Sequence, residues 1–268
     1  MTAMTKTQAG QVAATAAEIY DRAFVPALFG QFGPMLAEAA AIAEGESVLD
    51  VGCGTGVAAL AAAERAGPSG QVTGVDINPG MLAVARAKSR HVDWRQAPAE
   101  ALPFMDGSFD AVLSQFALMF LADRAGALRE MARVTRPGGR IALLVWESLD
   151  RSPGYDRLVP LLREVVGDEA AEALSAPFVL GEPDDIAAEL DKAGLAVAER
   201  RMLTGTARHA SLDDWLDTEI GGWTLADMVS ADQLRRLKDA ARSRLARHIG
   251  PDGRVAFPAP AHLVIVLP

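Results

Sequence analysis

The stretch VLDVGCGTG, residues 48–56, decides which fold the sequence predicts. Ser47–Val51 is short and apolar, as a buried strand would be, and Val57–Arg65 is rich in alanine and leucine, as a helix would be. Between them lies the turn GCGTG. A strand, a glycine turn and a helix in this order bring backbone close to a bound ligand, where side chains would collide with it.

The spacing of these glycines and one nearby carboxylate indicate the kind of ligand. A dinucleotide site uses G-x-G-x-x-G, whereas here the glycines are Gly52, Gly54 and Gly56, and residue 57 is valine. Asp50 would repel a pyrophosphate but suits a ligand with an ammonium group, such as the methionine part of S-adenosylmethionine. Asp76 ends the second predicted strand, where its carboxylate can accept hydrogen bonds from two ribose hydroxyls.

Strands and helices alternate outward from this turn. We predict strands at 47–51, 71–77, 91–96, 109–115, 140–146, 196–203 and 261–267. Helices are predicted at 33–42, 57–65, 79–89, 124–134, 158–166, 168–174, 184–193 and 212–249, and residues 12–28 are predicted to form one or two helices, broken near Pro26. The predicted fold class is α/β: a doubly wound, seven-stranded Rossmann-like sheet. The sheet is expected to be mostly parallel, with the last strand antiparallel, and helical insertions are expected to form a lid.

Three parts of the chain follow from this pattern. Residues 1–45 are predicted to be an N-terminal helical cap, and 46–148 the cofactor-binding core. Residues 149–268 are predicted to complete the sheet and to carry a helical substrate lid at about 150–180 and 211–250.

Composition limits the classes of partner. The 268 residues carry a net charge of −9 and show no basic stripe, which disfavours nucleic-acid and membrane partners. There is no signal-peptide pattern, no apolar run long enough to span a bilayer and a single cysteine, so we expect a cytoplasmic protein. The expected partner is a small-molecule substrate. The oligomeric state stays open, with a homodimer as one alternative.

Four runs of sequence together resemble a known family. They are VLDVGCGTG, GVDINPGML, QAPAEALPFMDGSFDAVLSQFALMF and ALREMARVTRPGGRIALLVWE, which span about residues 47–147. In this order and spacing they resemble the class I S-adenosylmethionine-dependent methyltransferases, especially the ubiquinone/menaquinone C-methyltransferase-like (methyltransferase type 11) group. The resemblance implies S-adenosyl-L-methionine as cofactor, S-adenosyl-L-homocysteine as product, and methyl transfer to a small molecule.

The resemblance also implies which residues bind the cofactor. The expected contacts are Tyr20, Asp50, Gly52, Cys53, Gly54, Thr55, Gly56, Asp76, Ile77, Met81, Ala97, Ala99, Glu100, Ser114, Gln115 and Phe116. One position departs from the family, because Pro98 stands where the pattern has an aspartate that accepts from the adenine amino group. We therefore expect adenine contacts that rely on the N–H of Ala99.

The acceptor side is less defined by the sequence. Phe116, Met119, Trp215, Trp223 and Met228 are candidates for an apolar pocket wall, which favours an aromatic or lipophilic acceptor. The acceptor atom, whether O, C or N, is left open.

No catalytic residue is assigned from the sequence. Glu147 and His209 are candidates for a general base by position alone. A structural role is favoured for Cys53 over a nucleophilic one, and the histidines lack metal-ligand spacing, so no metal is expected.

Two other functions compete with methyl transfer. One is a non-catalytic scaffold that binds the cofactor, which the missing base and Pro98 leave open. The other is a nicotinamide-dependent oxidoreductase, which Asp50 and Val57 disfavour.

Overall fold

A computed structural model describes residues 14–221 and 224–268. Within these ranges seven strands form one sheet in the order β3-β2-β1-β4-β5-β7-β6. The strands are β1 (Ser47–Val51), β2 (Gln71–Asp76), β3 (Val92–Gln96), β4 (Phe109–Gln115), β5 (Thr135–Trp146), β6 (Val197–His209) and β7 (Val255–Val266).

The helices lie between and around the strands in chain order. They are α1 (Ala14–Ile19), α2 (Val25–Ala27), α3 (Phe32–Ala39), α4 (Val57–Ala66), α5 (Pro79–Lys88), α6 (Arg124–Val134), α7 (Tyr155–Val165), α8 (Asp168–Ser175), α9 (Pro183–Lys192), α10 (Leu212–Gly221) and α11 (Ala231–Arg244). Asn78 caps α5 as expected, because its side chain accepts from the N–H groups of Gly80 and Met81. A π-helical turn, Tyr20–Phe24, joins α1 to α2.

The predicted fold class is confirmed. β1 pairs in parallel with β2 and β4, and β7 pairs antiparallel with both β5 and β6. Winding proceeds from β1 toward β3 on one side and from β1 through β4 on the other. In open α/β sheets such a switch point leaves a crevice at the carboxyl ends of the strands, and the glycine turn follows β1 there.

Three strands are several residues longer than predicted. β5 begins at Thr135 instead of residue 140, and β6 and β7 reach His209 and Val255. In β7 the prediction found only the continuous apolar run from residue 261. Pro258 and Pro260 lack N–H donors, and they lie where β7 pairs with β6 alone. The prolines therefore remove no hydrogen bonds between β7 and β5.

The predicted long helix at 212–249 is divided. α10 ends at Gly221, a 3₁₀ turn covers Thr224–Asp227, and α11 begins after Ser230. Ser230 and Gln233 form a capping box, which sets the start of a separate helix. No helix among the described residues is long and apolar enough to cross a membrane.

Candidate active site

The glycine turn needs glycine at its three positions for different reasons. Gly52, Gly54 and Gly56 all have positive φ, at 70°, 53° and 92°. A Cβ on Gly52 would overlap the side chain of Ala117, and one on Gly56 would lie 2.6 Å from the Trp94 ring. A Cβ on Gly54 would meet nothing within 4 Å. Gly52 and Gly56 therefore allow the turn to pack against the protein, whereas Gly54 presents bare backbone to open space.

Asp50 is a buried carboxyl with one unused oxygen. Its Oδ2 accepts from the N–H of Ala59 at 2.9 Å, while Oδ1 is buried without a hydrogen-bond partner. Burial raises the pKa of Asp50 to about 7, and the nearby Asp76 adds to the rise, although the Ala59 hydrogen bond opposes it. A cation placed at Oδ1 would relieve this cost.

Asp76 joins the turn to the next helix. One of its oxygens accepts from the N–H of Gly54 and the other from the N–H of Asn78, each at 2.8 Å. Burial raises the pKa of Asp76, against the effect of these hydrogen bonds. The carboxylate thus fixes the turn, and each oxygen keeps a lone pair for a further donor.

A single cavity extends from the glycine turn into the C-terminal part of the chain. It is lined by Tyr20, Asp50, Gly52, Cys53, Gly54, Thr55, Asp76, Ile77, Met81, Ala97, Pro98, Ala99, Glu100, Gln115 and Phe116, among others. Four side-chain atoms in the described ranges are buried without a hydrogen-bond partner, and three of them, Asp50 Oδ1, Thr55 Oγ1 and Gln115 Oε1, belong to residues lining this cavity. Buried polar atoms are normally paired, so this concentration indicates that the cavity binds a polar ligand.

The predicted adenine side has apolar side chains and a free backbone donor. Ile77 is 50% exposed, unusual for a large aliphatic side chain, and Met81 is buried nearby in the lining. The N–H of Ala99 makes no hydrogen bond to any residue in the described ranges. These features suit a flat ring held between apolar side chains.

Aromatic rings form one wall of the cavity. Phe116 stacks on Trp146, with ring centroids 3.7 Å apart and planes within 6°. Phe116 also has a φ of 54°, which is uncommon outside glycine. Such conformations persist where the surroundings enforce them, often at functional sites, and here the strand-end turn directs the ring into the lining.

Tyr20 is held over the turn by the neighbouring residues. Its ring contacts Phe29, with centroids 5.2 Å apart, and burial raises its pKa. The adjacent Asp21 forms an ion pair with Lys88, whose ammonium also donates to the Thr55 carbonyl at 3.0 Å. The N-terminal segment is thereby linked to the glycine turn.

Several expected site residues lie outside the cavity lining. Ser114 donates its hydroxyl to the carbonyl of Val51, linking β4 to β1, and Gly56 faces Trp94. Met119 and Trp215 are buried in the core, and Met228 is half-buried against it. Trp223 lies outside the described residues.

Neither candidate base reaches the cavity. Glu147 is buried and accepts from Ser148, Arg151 and His262. Burial acts to raise its pKa, but these three partners outweigh burial and lower it. His209 stacks on Trp215, and burial lowers its pKa to about 4, with Asp214 opposing. Both residues stabilise the fold in this arrangement, and the interpretation of either as a base is not supported.

Cys53 is buried beside the turn. Its sulfur lies 3.8 Å from the carbonyl oxygen of Gly54, and burial raises the thiol pKa. A raised pKa disfavours the thiolate, so the geometry agrees with a structural role. No group of three or more possible metal-ligating residues occurs in the ranges described.

The sequence analysis missed Glu219. This residue of α10 lines the cavity and is 2% exposed, and burial raises its pKa to about 7, opposed by hydrogen bonds from Tyr155 and Trp215. The available signal was its position: a carboxyl four residues after Trp215, on the same helix face as Leu212, Leu216 and Ile220, which are all buried.

The sequence of this chain is similar to those of known methyltransferases. Residues 49–143 match the model of the methyltransferase domain family. The ubiquinone/menaquinone biosynthesis C-methyltransferase of Hahella chejuensis is 36% identical over 176 residues, covering 60% of this chain and 71% of that protein. The enzyme of the same name from Cupriavidus taiwanensis is 35% identical over 180 residues, covering 62% and 73%.

A solved structure supports the fold. A proposed methyltransferase from Bacillus halodurans superposes with a TM-score of 0.60 at 23% identity, covering 87% of this chain and 96% of that one. Together the sequence relatives decide between the competing functions in favour of methyl transfer. The chain belongs to the class I S-adenosylmethionine-dependent methyltransferases, in the group of the ubiquinone/menaquinone C-methyltransferases, and S-adenosylmethionine is its cofactor.

Proposed function

We propose that this enzyme transfers the methyl group of S-adenosylmethionine to a small molecule with an aromatic or lipophilic body. The observation that supports the proposal is that one part of the cavity is polar and the other is apolar. The polar atoms without a hydrogen-bond partner, Asp50 Oδ1, Thr55 Oγ1 and Gln115 Oε1, lie near the carboxyl ends of β1 and β4. Aromatic rings line the rest of the cavity. A polar cofactor and an apolar acceptor would fill these two parts.

The residues near the glycine turn fit the amino-acid part of the cofactor. Asp50 Oδ1 would receive its ammonium group, and the bare backbone at Gly54 leaves room for it. Tyr20, Gly52, Cys53 and Thr55 would surround the same part, and Asp76 would accept from the ribose hydroxyls.

The adenine would lie between Ile77 and Met81. The segment from Ala97 to Glu100 would border its polar edge, where the N–H of Ala99 is available as a donor. Pro98 lines the cavity without offering a carboxylate, so the backbone would replace the family's aspartate contact.

Methyl transfer makes limited demands on the protein. The bound cofactor supplies a methyl group already activated by its positive sulfur. The chain's own residues would align the acceptor with that methyl and exclude water. Phe116 and Trp146, stacked next to Gln115, would form the surface against which an aromatic acceptor packs.

We assign a different role to each of the three predicted parts of the chain. Residues 46–148 would bind the cofactor, with 1–45 as a cap. Segments within 150–180 and 211–250 would act as the substrate lid, since Tyr155, Phe178 and Glu219 lie in the cavity lining. The relatives' names, which refer to ubiquinone and menaquinone biosynthesis, favour an aromatic acceptor as well.

Two measurements test this proposal. Calorimetry should detect binding of S-adenosylhomocysteine and none of NAD⁺. Radiolabelled S-adenosylmethionine should transfer its methyl to members of a panel of apolar phenols, quinols and amines. Cofactor binding without transfer to any panel member would contradict the proposed acceptor class, and unchanged cofactor affinity in Asp76→Ala would contradict the ribose assignment.

A further inference from the structure

Glu219 is the one carboxyl that the C-terminal part contributes to the described lining of the cavity. The cavity residues contributed by the C-terminal part include Tyr155, Phe178, Leu225 and Pro258. Among these apolar and aromatic side chains Glu219 is a buried carboxyl that no step of cofactor binding uses. A carboxyl placed there at an energetic cost indicates a function in recognition.

The two oxygens of Glu219 are used unequally. Tyr155 Oη donates to Oε1 at 2.5 Å, and Trp215 Nε1 donates to the same atom at 3.1 Å. Oε2 has no hydrogen-bond partner in residues 14–221 and 224–268, and it is not among the atoms sealed from solvent. Oε1 therefore holds the carboxyl in place, and Oε2 is left for a ligand.

The charge around the cavity limits what that ligand can be. Its described lining includes the acids Asp50, Asp76, Glu100 and Glu219, and no lysine, arginine or histidine among the residues that the structure describes. An anionic acceptor would meet repulsion without a compensating cation. An acceptor that binds here is neutral or positively charged.

Desolvation favours a neutral donor over a cationic one at Oε2. Burial raises the pKa of Glu219 to about 7, against the two hydrogen bonds at Oε1, so the ionised form that accepts a hydrogen bond is present at and above neutral pH. Transfer of an ammonium group from water into an aromatic-lined cavity would add a desolvation cost of several kcal/mol, which a hydroxyl avoids.

We infer that Oε2 of Glu219 accepts a hydrogen bond from a hydroxyl group of the methyl acceptor, so that the enzyme selects neutral aromatic molecules that carry a hydroxyl. The inference rests on the proposed function, because it specifies the acceptor of that reaction. Glu219 is a specificity-determining residue in this account, and Tyr155 and Trp215 position it.

A pair of probes tests the inference directly. 2-Naphthol and 2-methoxynaphthalene have the same ring system, but only the first can donate. In equilibrium dialysis at pH 8, where Glu219 is ionised, with saturating S-adenosylhomocysteine, the wild-type enzyme should bind 2-naphthol about tenfold or more tightly than the ether, since hydrogen bonds to charged groups are among the strong ones.

The variant Glu219→Gln should abolish or reverse this preference. Glutamine can keep its oxygen at the Oε1 position, where Tyr155 and Trp215 donate, and then presents an NH₂ group in place of Oε2. Exposed Glu64→Gln is the matched control and should behave as wild type. Near-ultraviolet circular dichroism and S-adenosylhomocysteine affinity verify that each variant is folded.

Two results would overturn the inference. One is equal affinity of the wild-type enzyme for the two probes, including no measurable binding of either. The other is tighter binding of the cationic 2-naphthylmethylamine than of 2-naphthol. Failure of the proposed function has a different signature, namely no labelled methyl transfer to any neutral acceptor although S-adenosylhomocysteine binds.

Discussion

The two ends of the cavity are built in different ways. At the glycine turn, Asp50 and Asp76 and the backbone N–H groups of Gly54, Ala59 and Asn78 that hold their carboxylates all lie within residues 50–78. At the apolar end, the carboxyl of Glu219 is held by side chains, one of them 64 residues away in the sequence. The first end is local and set by backbone, whereas the second is assembled by tertiary packing.

This difference suggests that cofactor binding and acceptor selection depend on different parts of the chain. A site made from a strand, a turn and a helix can be kept while the rest of the chain varies. A site made from α7, α10 and the β6–β7 extension depends on how the C-terminal part packs. We therefore expect cofactor binding to depend on the turn, and acceptor choice on Glu219 and its neighbours.

The largest expected effect is that of Asp50→Asn on the cofactor end. Loss of the carboxylate removes the proposed partner of the cofactor's ammonium group, and breaking a buried ion pair costs about 3–5 kcal/mol. The affinity for S-adenosylhomocysteine should fall by about 10²–10³-fold in calorimetry.

The matched control for this substitution is Asp239→Asn, at an exposed position of α11. It should leave the affinity unchanged. An Asp50→Asn affinity within threefold of wild type would show that the ammonium is held elsewhere.

Gly56→Ala should destabilise the turn through packing. The new Cβ would meet the Trp94 ring at a φ of 92°, so left-handed strain and overpacking together cost about 2–4 kcal/mol in the free energy of unfolding. Trp94→Phe removes the ring atoms nearest to that Cβ and should restore part of the loss. Urea denaturation of the single and double variants measures the coupling.

Gly138→Ala provides the comparison for strain alone. Its φ is 79°, and a Cβ there meets nothing within 4 Å, so only about 1–2 kcal/mol should be lost. Equal losses at Gly56 and Gly138, or no recovery with Trp94→Phe, would mean that the contact with Trp94 is unimportant.

Stability without ligand should depend on pH at both ends. Burial raises the pKa of Asp50 and of Glu219 to about 7, so between pH 4 and 7 the folded state holds protons that the unfolded state has lost. The free energy of unfolding should therefore fall as pH rises through this window, by up to about 1.4 kcal/mol per pH unit and group. The loss is complete once both groups are ionised, about one unit above pH 7.

Glu219→Gln removes one of these groups and tests the sign. Urea denaturation at pH 5 and pH 8 should show a variant that loses less stability than wild type over this interval. The same pH dependence in both proteins would indicate that Glu219 stays ionised throughout.

The smallest expected effect is that of Tyr155→Phe. The hydroxyl of Tyr155 helps to keep the pKa of Glu219 from rising further, and a hydrogen bond of this kind contributes about 0.5–1.5 kcal/mol. The midpoint of the pH dependence of 2-naphthol affinity should move up by about one pH unit or less. A midpoint that stays in place would limit Tyr155 to packing.

The sequence was informative where function depends on local geometry. The strand bounds of β1 and β4 and the Asn78 cap agree with the predictions, because neighbouring residues determine them. Asp50 and Asp76 line the cavity, and their contacts with the cofactor stay predictions. Glu219 could not be predicted as a cavity residue, since its environment depends on which elements pack against α10.

The two candidate bases also show that tertiary contacts, which the sequence does not reveal, decide where a side chain lies. Glu147 and His209 follow strand ends or extensions, as many functional residues do, yet their partners turn them into the core. Phe116 follows the end of β4 and lines the cavity, whereas its positive φ and its stacking on Trp146 depend on tertiary contacts.

The most direct test of this division is the affinity of Glu219→Gln for S-adenosylhomocysteine, measured by calorimetry beside Asp50→Asn and wild type. If the cofactor binds at the end of the cavity that contains the glycine turn, Glu219→Gln should match wild type while Asp50→Asn loses about 10²-fold or more. A loss in Glu219→Gln as large as that in Asp50→Asn would contradict the account, because it would place the cofactor at the end assigned to the acceptor.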